Sequence, residues 1–431
     1  MATTYDVIVV GGGPAGLMAA KTAAEQNLTV ALIERRKDIT KWTRADCMMF
    51  YGLEGDFLGE DIKIEVGKVN FPKNGFEVKY TGGLYPLYHW RVLSPGGHRI
   101  DFSSEQPIAA IFDKEILLRD LLGEVEKLGV TLFSGTAGLK AENTQKGAKV
   151  LIKSKGQESW LEAQKVIAAD GVNSLITESI GLNKERPPMG IFKVVQYIME
   201  GVENPYPNSW VQFYGKSISP FAPCHFLQTV YGESLQKMGA IRPAPGNPEE
   251  DLKIIMEKSH FSSWFKKAKV VYKMGVSVKP MMPIERPVMG NVLAIGDAAS
   301  FVEAENQGAL MCGYHAGRAV FKELEGKNGI KEYVNWWQQS FEFNNPEIHQ
   351  VAQGFAINPF YEDEEIDYLF SLVEGETLEG TINQYKIPRL LWDAILRHKE
   401  RIQKEKSELS QKIDNIHNMT VQESFTVDQK K

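Results

Sequence analysis

The amino-acid sequence predicts an α/β chain with a Rossmann-type domain, an inserted antiparallel sheet and a C-terminal helical region. Three observations lead there. The β-branched, apolar run Tyr5 to Val10 passes directly into Gly11-Gly12-Gly13-Pro14-Ala15-Gly16 and then into an alanine-rich helix. Two later apolar runs, Val166 to Ala168 and Val292 to Ile295, each end at an aspartate, Asp170 and Asp297. Around them lie short strand-like runs broken by glycine and proline, followed from Tyr333 by helical sequence of rising charge.

At 431 residues the chain exceeds a single ordinary core. Its 43% apolar and 24% charged content exclude a disordered chain or a fibre. A net charge of −6, with no arginine-rich arm or stripe to follow a phosphate backbone, argues against nucleic acid. Cys47, Cys224 and Cys312 are far apart, which argues against a disulfide framework, a zinc site or an iron–sulfur cluster. The first apolar run lacks a basic leader and no segment reaches the ~18 apolar residues that span a bilayer. A cytoplasmic protein is expected, with peripheral contact to lipid left open.

Taken in order, the expected elements are a strand to Val10, a helix Leu17 to Glu25 and a second strand Leu28 to Glu34. A long loop follows from Thr40 to Gly59, then short strands from Ile64 to Phe102. Asp113 to Leu128 reads as an amphipathic helix closed by Gly129, with a strand Val130 to Phe133 behind it. A hairpin is expected to pair Val150-Leu151-Ile152 with Val166-Ile167-Ala168. Strand runs Phe192 to Met199, Trp210 to Tyr214 and Phe226 to Val230 accompany one helix near Glu249 to Lys258. A helix is expected from Gly308 to Leu324, and from Glu405 a solvated helix that frays. These elements divide into a discontinuous nucleotide domain (1–75, 105–180, 281–345), a substrate domain (76–104, 181–280) and a helical region (346–431).

The glycine motif carries chemistry because it follows a strand and opens a helix. Gly11 permits the tight turn, Gly13 lets backbone approach a pyrophosphate, and Gly16 lets helix pack on strand, with Pro14 and Ala15 between them. Glu34, 18 residues after Gly16, ends the second strand where it can accept from the adenosine ribose hydroxyls. Arg35 follows it. Asp170-Gly171 and Gly296-Asp297 end two further strands, and a dinucleotide long enough to pass both is FAD rather than NAD.

With these motifs the chain resembles the flavoprotein superfamily of the p-hydroxybenzoate hydroxylase fold, and within it the geranylgeranyl reductase family. The resemblance covers residues 4 to about 345 and includes the helix start at Phe112-Asp113 and the run Gly296-Asp297-Ala298-Ala299. It implies FAD as cofactor, a helix from Gly308 aimed at the flavin, and a cysteine in the loop after the second strand, where Cys47 falls. Two departures stand out: Met48-Met49-Phe50 replaces the glycines after that cysteine, and Ser300 to Gln307 replaces the proline and G-x-G before the helix.

The function expected is an FAD-dependent oxidoreductase that reduces or dehydrogenates a carbon–carbon bond of an apolar, unsaturated small molecule. A flavin monooxygenase, an electron-transfer dehydrogenase delivering to a quinone, and a non-catalytic FAD protein are the alternatives. No second G-x-G-x-x-G follows a strand, so electrons come from a transient NAD(P)H, a ferredoxin-type carrier or a quinone. Cys47 is the candidate acid beside the flavin, with Arg44 reaching the cofactor from the same loop. Proton partners are sought in Tyr85 to Trp90 and Phe221 to Phe226. Tyr85, Tyr88 and Trp90, with Phe213 or Tyr214, are candidate pocket walls. His89, His225 and His315 read as structural, and Trp336, Trp337, Phe341 and Phe343 as the seam holding the C-terminal helices.

Overall fold

The computed structural model describes residues 4–51, 53, 59–344, 357–379 and 383–419. Strand Thr4–Val10 has Val7, Ile8 and Val9 fully buried, so side chains on both faces of its sheet are covered. Val30–Glu34 lies parallel on one side of it and the end of Gln157–Ala168 on the other. Thr131–Ser134 and Val292–Ala294 extend this parallel core outward. Since parallel strands share a direction, Gly11, Glu34, Asp170 and Gly296 all fall at one edge of the sheet.

The hairpin closes at Lys155-Gly156 between Ala148–Ser154 and Gln157–Ala168, pairing Val150 with Leu161. Val166–Ala168 therefore lies beyond it, paired with Val292–Ala294, which corrects the expected register. Behind the glycine turn, helix Pro14–Glu25 packs on helix Glu305–Leu324. Small residues set that distance: a Cβ on Gly313 would stand 2.4 Å from the Ala15 carbonyl oxygen, and one on Gly317 2.7 Å from the Thr22 Cβ.

A second eight-stranded sheet runs in the order 269–278, 192–200, 232–243, 224–229, 209–213, 89–93, 99–103, 377–378. Most neighbours are antiparallel, but Ser209–Phe213 runs parallel to His89–Leu93 and Thr377–Leu378 parallel to Arg99–Ser103. Alternation gives it two faces. Phe213, Phe226 and Met238 join Leu252, Ile255, Phe261 and Phe265 in a satellite core, whereas Trp90, Phe192, Trp210 and Leu227 join the main one.

Domain edges interleave more than the sequence suggests. Residue 75 lies in the turn joining Lys68–Phe71 to Phe76–Lys79, and Leu84–Leu87 pairs with Ala109–Phe112, so 76–104 is shared among three sheets. In the 40–59 loop, Met49–Tyr51 is a strand against Ala109–Phe112. The C-terminal helices close on an aromatic seam: Trp337 lies 4.7 Å from Phe341 and 5.5 Å from Phe343 between ring centres. Ser407–His417 buries Leu409, Ile413 and Ile416, spacing that fits one helical face, so this segment is docked rather than a solvated fray. Among the described residues no helix is long and apolar enough to cross a membrane.

Candidate functional site

Gly11 leaves the first strand at φ +109°, and a Cβ there would lie 2.2 Å from the Ala169 carbonyl oxygen. A Cβ on Gly16 would lie 1.8 Å from the Gly11 oxygen. Protein packing alone forces these two glycines. Gly13 differs, because nothing stands within 4 Å of a Cβ placed on it. Helix Pro14–Glu25 starts just behind with no side-chain cap, so its first N–H groups are available to an anion in front of the turn.

Glu34 is buried and its Oε2 accepts from the Gly12 amide at 2.6 Å, while Oε1 accepts from the Arg36 amide at 2.8 Å and from Arg36 Nε at 3.0 Å. Burial pushes this carboxyl up, but the Arg36 guanidinium and the two amides outweigh it and hold Glu34 below the usual range. Arg36 Nη2 also donates to the Gly12 carbonyl at 2.8 Å. The arginine that meets the turn is therefore Arg36; Arg35, singled out from the sequence, is exposed.

At the next strand end, Asp170 accepts from Ser174 Oγ at 2.5 Å and from the Ile176 amide at 3.2 Å. It thereby lies against the start of the short helix Leu175–Ser179, whose cap is Ser174, and Gly171, at φ +81°, borders Arg44. Asp297 accepts from the Ala304 amide at 2.9 Å, and burial raises its carboxyl despite the nearby Arg44. A Cβ on Gly296 would be 3.3 Å from Ala15 Cβ, which ties this strand end to the glycine turn. The helix expected from Gly308 begins at Glu305, again without a side-chain cap, so Gly308 lies buried within its first turn.

The Cys47 loop is held from both sides. Lys114, at the start of helix Lys114–Lys127, forms an ion pair with Asp46 and lies 3.8 Å above the Trp42 ring. Asp46 also accepts from the Met48 amide at 2.6 Å and from Asn306 Nδ2 at 3.4 Å. From the large sheet, Gln196 Oε1 accepts from the Asp46 amide at 3.4 Å, and buried Lys237 Nζ donates to the Cys47 carbonyl. Gln196 and Lys237 sit on the sheet face opposite Tyr197 and Met238, as strand alternation requires.

Burial and four acids shape the electrostatics here. Burial pushes the Cys47 thiol well up, so it stays protonated at neutral pH, with Lys237 opposing and Glu303 and Glu305 reinforcing the shift. Burial, together with the Asp297 and Asp46 charges, pushes Glu303 up to about 7. Glu305 is raised by burial and then by Glu303. Burial raises Asp46 too, but Lys114 outweighs it and keeps that carboxyl ionised. Glu303 nonetheless keeps solvent exposure.

Three of the six non-glycine residues at positive φ among the described residues lie in these two loops: Met48 (+53°), Val302 (+51°) and Glu305 (+57°). Such backbone persists only where its surroundings impose it, and for a β-branched residue like Val302 it is costly. Gln307 is fully buried with neither amide atom hydrogen-bonded to protein, and the buried Trp42 Nε1 is also unpartnered. These orphaned groups border the strand edge described above and fit a polar molecule bound there.

The aromatic expectations divide. Trp90 stacks on Trp210 at 3.7 Å, Trp210 Nε1 donates to His225 Nδ1 at 3.0 Å, and Tyr51 lies 5.7 Å from Trp210, so these buried rings form a row in the main core from the Cys47 loop into the large sheet. Phe213 belongs to the satellite core and Tyr214 packs on Phe370. Tyr85 Oη accepts from the Asn208 amide at 3.3 Å. Burial lowers His225 and His315 to about 4; His315 bonds Asn74 at 2.7 Å and His89 bonds Ser103 at 2.8 Å, all structural contacts.

Sequence reasoning missed Asp46, Lys114, Gln196, Lys237, Glu303, Glu305 and Asn306. Lys114 carried a signal, since a lysine in the first turn of a helix opposes the dipole and calls for a reason. So did the departure from the resembled pattern at Ser300 to Gln307.

The FAD binding domain family matches residues 4–303. A digeranylgeranylglycerophospholipid reductase of Methanothrix thermoacetophila is 26% identical over 423 residues, covering 91% of this chain and 98% of the relative. A similarly named reductase of Methanocaldococcus jannaschii is 24% identical, covering 87% of this chain and 92% of the relative. Among solved structures, a geranylgeranyl bacteriochlorophyll reductase-like protein of Thermoplasma acidophilum superposes with a TM-score of 0.72 at 20% identity, covering 95% of this chain and all of the other. A p-nitrophenol 4-monooxygenase of Pseudomonas putida gives 0.64 at 14% identity, covering 93% and 98%.

Proposed function

Because the chain belongs to the FAD binding domain family, we propose that this FAD-dependent oxidoreductase reduces carbon–carbon double bonds of an apolar, isoprenoid-type chain, working at a lipid surface from the cytoplasm. The observation that carries this reading is the Cys47 loop beside the dinucleotide edge, held by Lys237 at the Cys47 carbonyl and by the Lys114–Asp46 ion pair, with burial pushing the thiol up so that it keeps its proton. Support also comes from the named activity of the relatives, which align over nearly the whole chain.

In this reading the uncapped start of helix Pro14–Glu25, with Gly11, Gly13, Pro14, Ala15 and Gly16, receives the pyrophosphate of FAD. Glu34 receives the adenosine ribose, with Arg36 in place of Arg35 as its partner. Asp297, Gly296, Arg44, Gly171 and the first turn around Gly308 border the remainder, and Gln307 and Trp42 offer it their unpaired polar atoms. FAD, when bound and reduced, supplies hydride to one alkene carbon.

Cys47 Sγ–H donates the proton to the other carbon. The raised thiol pKa keeps the proton on sulfur between turnovers but makes the thiol a weak acid, and Glu303, pushed up to about 7, is the group that returns the proton after transfer. Lys114 and Lys237 fix the loop so that the thiol does not wander, and the Tyr51, Trp210 and Trp90 row excludes water from the apolar substrate.

The test is anaerobic turnover of a polyprenyl lipid by the dithionite-reduced protein, read by mass. A gain of two hydrogens per reduced bond is expected, with Cys47→Ala slowing turnover by about 10²–10⁴ at unchanged flavin content. Oxygen-dependent product carrying an added oxygen atom, or full activity of Cys47→Ala, would overturn the reading. The electron donor is read in the same experiment by replacing dithionite with NADH, NADPH or a reduced ferredoxin.

A further inference from the structure

Residues 258–284 contain six lysines, at 258, 266, 267, 269, 273 and 279, and no aspartate or glutamate, within a chain of net charge −6. Too few and too dispersed to track a phosphate backbone, they frame something else. Strand Lys269–Val278 is the outer edge of the large sheet, and its Val270, Val271 and Tyr272 are 37%, 48% and 49% exposed. They are the one run of three consecutive exposed large apolar residues among those described. Exposed edge strands are normally blunted by charge or covered, and apolar side chains are left on them only where something is met.

The charges around the run have defined partners. Glu203 pairs with Lys267 at 2.6 Å, Glu249 with Lys273 at 2.9 Å, and Glu200 lies across the ladder from Lys269. Lys258, Lys266 and Lys269 have no ion pair among the described residues. Local charge thus stays positive where the rest of the molecule is negative. Apolar residues with a tyrosine, flanked along the chain by Lys266, Lys267, Lys269 and Lys273, match the composition of an anionic lipid interface, where apolar groups go inward, phenol sits at the headgroup level and ammonium groups lie among the phosphates.

We propose that the edge strand Lys269–Lys273, with Lys258, Lys266 and Lys267, is the surface on which this protein docks to an anionic lipid bilayer. The surface is well placed for a lipid-reducing enzyme. Met274, next along the same strand, pairs with Gln196, whose side chain accepts from the Asp46 amide beside Cys47, so one strand separates the docked edge from the site. The proposal deepens the lipid-reductase reading but stands on charge and exposure, which do not depend on it.

Flotation of the FAD-loaded protein with phosphatidylcholine vesicles, without and with 30% phosphatidylserine, tests it. Binding is expected to the anionic vesicles alone and to weaken as salt rises. Lys258→Glu/Lys266→Glu/Lys269→Glu is expected to weaken it on the order of 100-fold, from ~1 kcal/mol per lysine. Val271→Ser/Tyr272→Ser, which keeps every charge, is expected to weaken it by about 10-fold or more. Equal binding to both vesicle types, no binding to either, or wild-type binding by both variants overturns the proposal. So does concentration-dependent dimerisation abolished by Val271→Ser/Tyr272→Ser, which would assign the edge to a second copy of this chain. No turnover is measured, so failure here leaves the reductase reading untouched; docking without alkene reduction would sink that reading alone.

Discussion

The glycine turn and the Cys47 loop meet at the same edge of the parallel sheet but are held by different means. Around the turn, constraints come from backbone: Gly11 and Gly16 sit where a Cβ would strike carbonyl oxygens of Ala169 and Gly11. Around Cys47, they come from side chains brought in by separate segments, with Lys114, Gln196, Lys237 and Asn306 converging on Asp46 and Cys47. Backbone constraint tolerates almost no change of residue, whereas convergence of long polar side chains can be loosened one contact at a time.

The largest expected effect comes from Gly16→Ala. Its Cβ would need to displace main chain, at a cost of ~3 kcal/mol or more, and thermal unfolding without added FAD should show it. Gly13→Ala sharpens the contrast, because its Cβ meets no protein atom. The apoprotein should melt within about 1 °C of wild type, while FAD affinity in a titration should drop by at least about 10-fold. Equal destabilisation by both substitutions would erase the distinction between glycines required by packing and the one facing the cofactor.

Lys237→Met probes the other region. Removing this buried cation leaves the Cys47 carbonyl unpaired and frees the loop, and kcat is expected to fall on the order of 100-fold with FAD content and KM near wild type. Lys237→Arg should recover part of that rate. A matching loss of flavin would show that the loop serves cofactor retention instead.

The smallest effect is a pH slope. Glu303 has its folded pKa raised to about 7 from an ordinary value of 4.5, so its contribution to stability is present below 4.5 and is lost as pH rises to 7. Tm of the apoprotein should therefore carry a downward component over this interval, and Glu303→Gln should remove that component. A slope unchanged by the substitution would place the titration elsewhere.

This division also explains what could be read from the sequence. Gly11 to Gly16, Glu34, Asp170-Gly171 and Gly296-Asp297 were legible because strand, turn and helix lie contiguous in the chain. Of the adjacent Arg35 and Arg36, only the fold shows that Arg36 is the one meeting Glu34 and the glycine turn. Asp170 follows a strand end as read, yet its carboxylate also accepts from Ser174, the cap of the next helix, four residues away. Lys237 lies 190 residues from the carbonyl it holds, and no periodicity can announce such a contact. The tail from Glu405 reads as solvated because its charges outnumber the single apolar stripe of Leu409, Ile413 and Ile416 that docks it.

If this site passes electrons to an alkene and not to oxygen, the re-oxidation rate of the reduced protein reveals it. Reduced anaerobically and mixed in a stopped-flow cell, the flavin should re-oxidise faster with a polyprenyl lipid than with air-saturated buffer, and Cys47→Ala should slow only the first. Rapid re-oxidation by oxygen, no response to the alkene and no effect of Cys47→Ala would contradict the account and make this an oxygen-using enzyme.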